Sequence, residues 1–360
     1  MIILFLIILI HIFLLSKLVF FPYPELFIYP YLVEKGLVPY KQIFDQHFPG
    51  VMFFPINLAT LGIDSVSEMR LVNYLLVFLA HSLIYKISSK IFINSPRFLF
   101  VPNILFMLWH PFMEGYVLWV DSFAQVGLLI SYYFFLSNSR WKDLITGITI
   151  GLVLLLKQTV FPLILILLLY FLLSRWAKTK VFKFIIGVSF CIILLILWVV
   201  AKGILKEFLY WTFTFNLTIF AQMGRKYGSI GQIARIIPLF LPTLIFLFFY
   251  FKKKTFEVKI DLLSIFFLGS LFFAFARFDY VHLQPSLPFS VLLSSYAFFY
   301  LSKDSKTLLV VYVLSCLVLN YFFISVLVGS KVYFFGNKER LLVDAVEKYR
   351  NNGKVFTVGT

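Results

Sequence analysis

Charge is what this chain has least of. Only 13% of its residues are Asp, Glu, Lys or Arg, and the 16 acidic ones are outnumbered by 32 basic ones. Cysteine is nearly absent. Cys191 and Cys316 both sit inside apolar runs, which excludes a disulfide-stapled scaffold and a thiolate metal site. No glycine-rich loop of the phosphate-cradling kind is present, so a nucleotide-binding fold is not expected. The first apolar stretch, 2–21, lacks a basic leader and a small-residue cleavage site. It reads as a retained span and not as a removed signal peptide.

What is present is apolar. Hydrophobic residues make up 61% of the chain and aromatics 20%, and the mean hydropathy is +0.96. Soluble domains are nearer half apolar, so the composition indicates an all-α polytopic integral membrane protein. Runs of about 17–25 apolar residues are the template for a span. They fall near 2–21, 67–85, 98–113, 117–136, 144–156, 159–174, 184–201, 236–251, 260–276, 285–301 and 307–329. That gives about eleven transmembrane helices, with the boundary between the fifth and sixth left open.

The +16 net charge does not read as nucleic-acid binding. Much of it lies in short loops between spans, where basic residues set orientation. Lys86, Lys90 and Arg97 follow the second span, and Arg140 and Lys142 the fourth. Arg175, Lys178, Lys180 and Lys183 follow the sixth, Lys252 to Lys254 and Lys259 the eighth, and Lys303 and Lys306 the tenth. All five loops share one side if the N-terminus starts there, so that side is expected to be cytoplasmic in a cell membrane. The outer face then carries the 22–66 loop, the 202–235 loop, the Arg277–Gln284 loop and the C-terminus. The expected organisation is a membrane domain over 1–330 and an outer segment over 331–360. In that tail, Lys338–Tyr349 reads as an amphipathic helix and Lys354–Val358 as a strand. Together they are too little to bury a core, so the segment is expected either to dock on the outer face or to be the start of a larger soluble domain.

The 22–66 segment is the most polar part of the chain and carries Glu25, Glu34, Asp45 and His47. Pro22, Pro24, Pro30, Pro39, Pro49 and Pro55 forbid one continuous helix. Two juxtamembrane helices are expected instead, one ending near Lys35 before Gly36 and one from Val51 to Leu61 before Gly62. The 202–235 loop has a similar aromatic character, with Phe208, Tyr210, Trp211, Phe213 and Phe215 ahead of a polar stretch.

The run Leu32-Val33-Glu34-Lys35-Gly36-Leu37-Val38-Pro39-Tyr40-Lys41 is followed by Asp45-Gln46-His47-Phe48-Pro49-Gly50. It resembles the first outer loop of GT-C glycosyltransferases. It is most similar to the family 39 branch, which includes aminoarabinose transferases and protein O-mannosyltransferases. Gly62 and Arg70 hold the glycine and the arginine that open the second span in that branch. Two further stretches, Gly151 to Thr159 and Ala276 to Pro285, resemble outer-end elements of the same superfamily. The sequence departs in two places. Pro24-Glu25 stands where the family has an Asp-Glu pair or a lone Asp, and Gln42 stands where an acidic residue often follows the Pro-Tyr element.

The resemblance implies an inverting glycosyl transfer. A sugar would leave a polyprenyl-phosphate donor for a lipid, glycan or protein acceptor at the outer face, with membrane lipids as surroundings. Such chemistry needs a carboxylate to take the acceptor's proton and cations to hold the departing phosphate. Glu25 and Asp45 are the candidate bases, and the choice between them is open. Asp45 could also orient the acceptor or help to hold a divalent ion. One Asp and one His fall short of a metal ligand set, so no metal or other cofactor is expected.

Lys157 lies at an outer helix end, where an ammonium needs an anion, a carboxylate or a path to the interface. Arg277 and His282 flank Asp279; the arginine suits a phosphate or a local pair with that aspartate. Asp121, inside an apolar stretch, is expected to face the bundle interior. His47, Asp121, Lys157, Arg277 and His282 are therefore the candidate binding residues. Glu34, Arg225 and Lys226 read as solvated charges, and His11 and His81 as hydrogen-bonded packing residues. His110 has no partner that the sequence names. The competing readings are a lipid-linked sugar flippase or transporter, which would need polar residues at the midplane and broken, repeat-related spans, and a membrane glycan polymerase.

Overall fold

The computed structural model describes residues 2–301 except 94, 175, 177 and 254–256, together with 310 and 312–321. The expected tail helix and strand beyond 331 lie outside the described residues.

Among the described residues the fold is mostly helical. In chain order it runs α1 (Ile2–Lys17), a two-residue strand β1 (Phe21–Pro22), α2 (Glu25–Glu34), α3 (Val66–Ile91), α4 (Val101–Trp109), a second short strand β2 (Val117–Leu118), α5 (Val120–Phe135), α6 (Lys142–Leu156), α7 (Phe161–Leu173) and α8 (Lys178–Ala201). Then follow α9 (Leu205–Leu209), an eleven-residue π-helix over Tyr210–Phe220, α10 (Ala221–Met223), α11 (Ile230–Lys253), α12 (Val258–Ser270) and α13 (Leu287–Leu301). Three helices, Val66–Ile91, Lys178–Ala201 and Ile230–Lys252, are long and apolar enough to cross a membrane. The first of these is about 39 Å long at 1.5 Å per residue.

Local rules explain most boundaries. Ser65 caps α3 through a capping box: its hydroxyl accepts from Glu68 N (3.3 Å), and the Glu68 carboxylate accepts from Ser65 N (3.0 Å). α2 ends where Gly36 takes φ +88°, with Leu37 N bonding back to Leu32 O. The second expected juxtamembrane helix does not form. Residues 51–58 run as turns, and only Ala59–Leu61 makes a 3₁₀ turn. Pro55 removes a donor and blocks the turn before it, so the apolar pattern there serves packing and not a helix.

Helices α7, α8 and α11 are apolar on every face. On α8, Phe182, Ile185, Phe190, Ile193 and Leu197 are exposed, while Phe184, Gly187, Val188, Cys191 and Leu195 are buried. Polarity therefore does not choose the packed face; side-chain size does. Gly147 and Gly151 on α6 meet Gly187 and Cys191 on α8. A Cβ on Gly147 would run into the Phe184 carbonyl, and one on Gly187 into the Leu144 carbonyl. Small residues spaced by four let two apolar backbones come this close.

The helices put the basic loops and the candidate residues at opposite ends. Lys90 Nζ donates to Leu136 O (2.9 Å), Lys183 Nζ to Arg140 O (3.4 Å) and Lys259 Nζ to Lys90 O (3.2 Å). At the other end, β1 pairs with β2 in parallel register, Phe21 beside Val117 and Pro22 beside Leu118. That pairing sets Tyr23 against Trp119, ring centroids 4.5 Å apart, and brings Glu25 to the same cavity as Trp119.

Gly147→Val should overpack the α6–α8 seam and cost about 1–3 kcal/mol or more. Thermal unfolding in detergent measures it, and Ile148→Val, one position along on the same helix, serves as the mild control.

Candidate functional site

At the end with the short strands, a cavity of about 170 Å³ is lined by Tyr23, Glu25, Gln46, His47, Trp119, Lys157, Gln158, Thr159, Asn216, Phe220, Phe273, Ala276, Arg277 and His282. Five of the seven candidate residues meet here: Glu25, His47, Lys157, Arg277 and His282. They come from five places in the chain more than 250 residues apart end to end. Asp121 lies beneath the floor and Asp45 behind the wall.

The floor is a buried ion pair. Lys157 Nζ donates to both oxygens of Asp121 (2.9 and 3.0 Å), and neither side chain is more than 7% exposed. His282 Nδ1 stands 2.9 Å from Asp121 Oδ2 and 3.0 Å from Lys157 Nζ. One ring nitrogen cannot both donate to the carboxylate and accept from the ammonium, so the imidazole serves one of them at a time. Asp121 is in the first turn of α5, Lys157 in the break between α6 and α7, and His282 in a 3₁₀ segment (Tyr280–Ser286) before α13. Thus the ammonium that needed a counter-charge finds it within the protein. The open boundary between the fifth and sixth spans is this break.

That 3₁₀ segment is itself anchored. Gln125 Nε2 donates to Gln284 O (2.6 Å), and Ser122 Oγ to Gln284 Oε1 (2.8 Å). Gln284 Nε2 donates to Met113 O and Glu114 O, both at 3.0 Å. Val281 N donates to Glu114 Oε2 (3.1 Å). Burial pushes the Glu114 carboxyl up to about 7, partly offset by that amide and by Lys226.

One wall is the turn 45–50. Asp45 Oδ1 accepts from the His47 amide (3.0 Å) and from His47 Nδ1 (2.8 Å). Gln46 O accepts from Gln158 Nε2 and from Asn216 Nδ2 of the π-helix, both at 2.9 Å. Tyr40 OH donates to His47 O (2.8 Å). Gly50 N donates to Leu155 O (2.7 Å), and a Cβ on Gly50 would stand 2.8 Å from the Leu156 Cα. Only glycine lets this turn press against the end of α6, one residue short of Lys157.

The other wall is the loop around Arg277. Its Nε donates to Asp279 Oδ2 (2.7 Å), and Lys226 Nζ donates to Asp279 Oδ1 (3.1 Å). The guanidinium is engaged through Nε, the side chain is half exposed, and Arg277 lines the cavity. The expected local pair and a role in the cavity therefore coexist. Arg225 is not simply solvated, since its guanidinium stacks 4.6 Å over Phe275.

Four side-chain atoms of cavity-lining residues are buried and unpartnered among the described residues: Glu25 Oε2, Gln46 Oε1, Gln158 Oε1 and Thr159 Oγ1. Gln158 and Thr159 follow Lys157 directly and were carried only as part of a resembling stretch. Asn216, in the 202–235 loop, is not among the residues that the sequence singles out. Their roles depend on contacts with residues 46–47, which no spacing discloses. A wider apolar groove of about 560 Å³ adjoins the cavity, lined among others by Phe240, Phe267, Leu271, Phe275 and Phe278.

His110 finds its partners away from the cavity. His81 Nε2 lies 2.8 Å from His11 Nδ1, and His11 Nε2 lies 3.2 Å from His110 Nδ1. Asn103 Nδ2 lies 3.0 Å from His81 Nδ1 and donates to His81 O. With the amide donating, every ring in the chain carries its proton on Nε2. This agrees with the packing role expected of His11 and His81, and no cluster with metal-ligand geometry occurs among the described residues.

No protein-family model matches this chain, and no curated protein matches it.

Two outcomes follow from the buried charges. Lys157→Met strands the Asp121 carboxylate and should cost about 3–5 kcal/mol, much of it recovered in the Lys157→Met/Asp121→Leu double variant; a double-mutant cycle on thermal unfolding measures the coupling. Glu114 binds its proton more tightly folded than unfolded. Its contribution is thus greatest below its unfolded value and is lost as pH rises through about 7. Glu114→Gln should flatten that fall and raise the melting temperature above wild type at about pH 8.

Proposed function

We propose that this chain is a multi-pass membrane glycosyltransferase. It moves a sugar from a polyprenyl-phosphate donor to an acceptor hydroxyl at the outer face, in one inverting displacement. The observation that carries the reading is the set of orphaned oxygens beside the cavity. Four unpartnered oxygens on Glu25, Gln46, Gln158 and Thr159 call for a ligand rich in O–H donors. A sugar is such a ligand, and Tyr23, Trp119, Phe220 and Phe273 offer aromatic faces to its C–H surface.

Three further features support it. The terminal nitrogens of Arg277 suit a phosphate rim, and the Lys157 charge lies at the floor. The apolar groove opens next to the polar cavity, because Ala274 and Leu283 line the groove while Phe273 and His282 line the cavity. It suits an isoprenoid tail. The apolar outer faces of α3, α8 and α11 suit lipid, with the basic loops on the cytoplasmic side. The first-loop resemblance to GT-C enzymes of the family 39 branch points the same way.

In the reaction, the acceptor oxygen attacks the anomeric carbon opposite the phosphate. The bond from that carbon to the phosphate oxygen breaks, and polyprenyl phosphate leaves with the electron pair. The acceptor's proton passes to a base on the cavity wall. Glu25 and His47 line the cavity and can take it, whereas Asp45 does not line it and faces His47.

The test is acceptor-dependent release of polyprenyl phosphate by protein in nanodiscs, given a pool of polyprenyl-phosphate sugars and a membrane extract. Arg277→Ala should lower kcat/KM by roughly tenfold to a hundredfold, the worth of one charge-assisted contact. Glu25→Gln should reduce turnover at least as far. Absence of release by wild type from every donor in the pool overturns the assignment, and a lipid-flipping assay would then be the next experiment.

A further inference from the structure

We propose that the base is the imidazole of His47, with Asp45 as its positioning residue and Glu25 as the carboxylate that holds the acceptor hydroxyl. This rests on the transferase reading above and settles which group takes the proton.

The tautomer is fixed by the chemistry of the pair. A carboxylate can only accept, so the 2.8 Å contact to Asp45 Oδ1 places the ring proton on Nδ1 and leaves a lone pair on Nε2. Nε2 makes no hydrogen bond with any described residue, and His47 lines the cavity. The Asp45 side chain is 4% exposed against 20% for His47, so the carboxylate stands behind the ring and away from any ligand. This is the arrangement of a base oriented by a third group.

The ring is also held in place. Asp45 Oδ1 grips both the ring and the backbone of the same residue, and Tyr40, Gln158, Asn216 and Gly50 tie down the turn on either side. Trp119 meets the ring edge-on, centroids 5.3 Å apart. Glu25 has no such support. It lines the cavity with its Oε2 unpartnered among the described residues, which leaves a carboxylate available to a ligand hydroxyl.

The charge balance favours the imidazole. When the acceptor oxygen bonds to the anomeric carbon, its proton passes to Nε2 and the ring becomes a cation. That cation lies against Asp45 and faces the phosphate that is gaining charge, so one proton transfer serves both groups. The ionisable groups around it are Asp45 and Tyr40 on its own turn, and Tyr23 and Glu25 from the segment opening α2. Lys157 and His282 face it from the floor, and Arg277 from the outer loop.

The experiment uses the full chain in nanodiscs with the same donor pool and acceptor extract. His47→Gln should lose roughly 10²–10⁴ in kcat with little change in KM. His47→Gly should regain turnover on addition of imidazole, which a packing role would not allow. Asp45→Asn should lower kcat at unchanged donor KM, and Asp45→Glu should recover part of it. Thermal unfolding of each variant separates lost folding from lost chemistry. Should His47→Gln keep its kcat within about threefold of wild type while Glu25→Gln is inactive, Glu25 is the base and this proposal falls, with the transferase reading intact. Should wild type itself release no polyprenyl phosphate, both fall together.

Discussion

The buried pair between Lys157 and Asp121 is the interaction on which the rest of the site depends. It ties the start of α5 to the break between α6 and α7, and His282 brings in the segment before α13. Two charges at this depth are costly to bury, and each is tolerated only because the other is there. The pair is therefore a geometric constraint more than a source of stability. It fixes three chain segments to one point and leaves a polar floor where an apolar core would otherwise close.

The loop over 22–66 is then fitted onto that floor. Gly50 allows the backbone to touch the end of α6, and the carbonyl of Gln46 receives amides from both Gln158 and Asn216. The two-residue strand pairing places Glu25 from the other side. A loop with six prolines within 22–55 has few conformations to lose, so it can be held by a handful of such contacts. What remains between loop and floor is a small cavity with polar walls, and an apolar groove beside it. Ring, carboxylate and guanidinium face one another across it without any one helix carrying more than a part.

Much of this was legible beforehand. The apolar runs gave the helices, and Gly36 gave the end of α2, because those depend on local rules. The isolation of Asp121 and Lys157 in apolar sequence marked both as needing partners, though not each other. Other features were invisible. The expected 51–61 helix failed on Pro55, and the segment over 210–220 winds as a long π-helix, a form that no residue pattern announced. Asp45 looked like a base from its type and position. Its side chain in fact faces His47, which depends on a turn conformation and not on sequence distance.

The sequence by itself determined an all-helical chain, which helices are apolar all round, which loops are basic, and which few ionisable residues stood where apolar ones were expected. These follow from composition and period, which act within a few residues. The tertiary structure alone decided which of those residues meet. Lys157 faces Asp121 and Gln158 reaches Gln46 because helices hydrophobic on every face pack by shape, while His47 stands before Asp45 because the turn over 45–50 folds the two together. Shape complementarity between segments a hundred residues apart leaves no periodic trace in the chain.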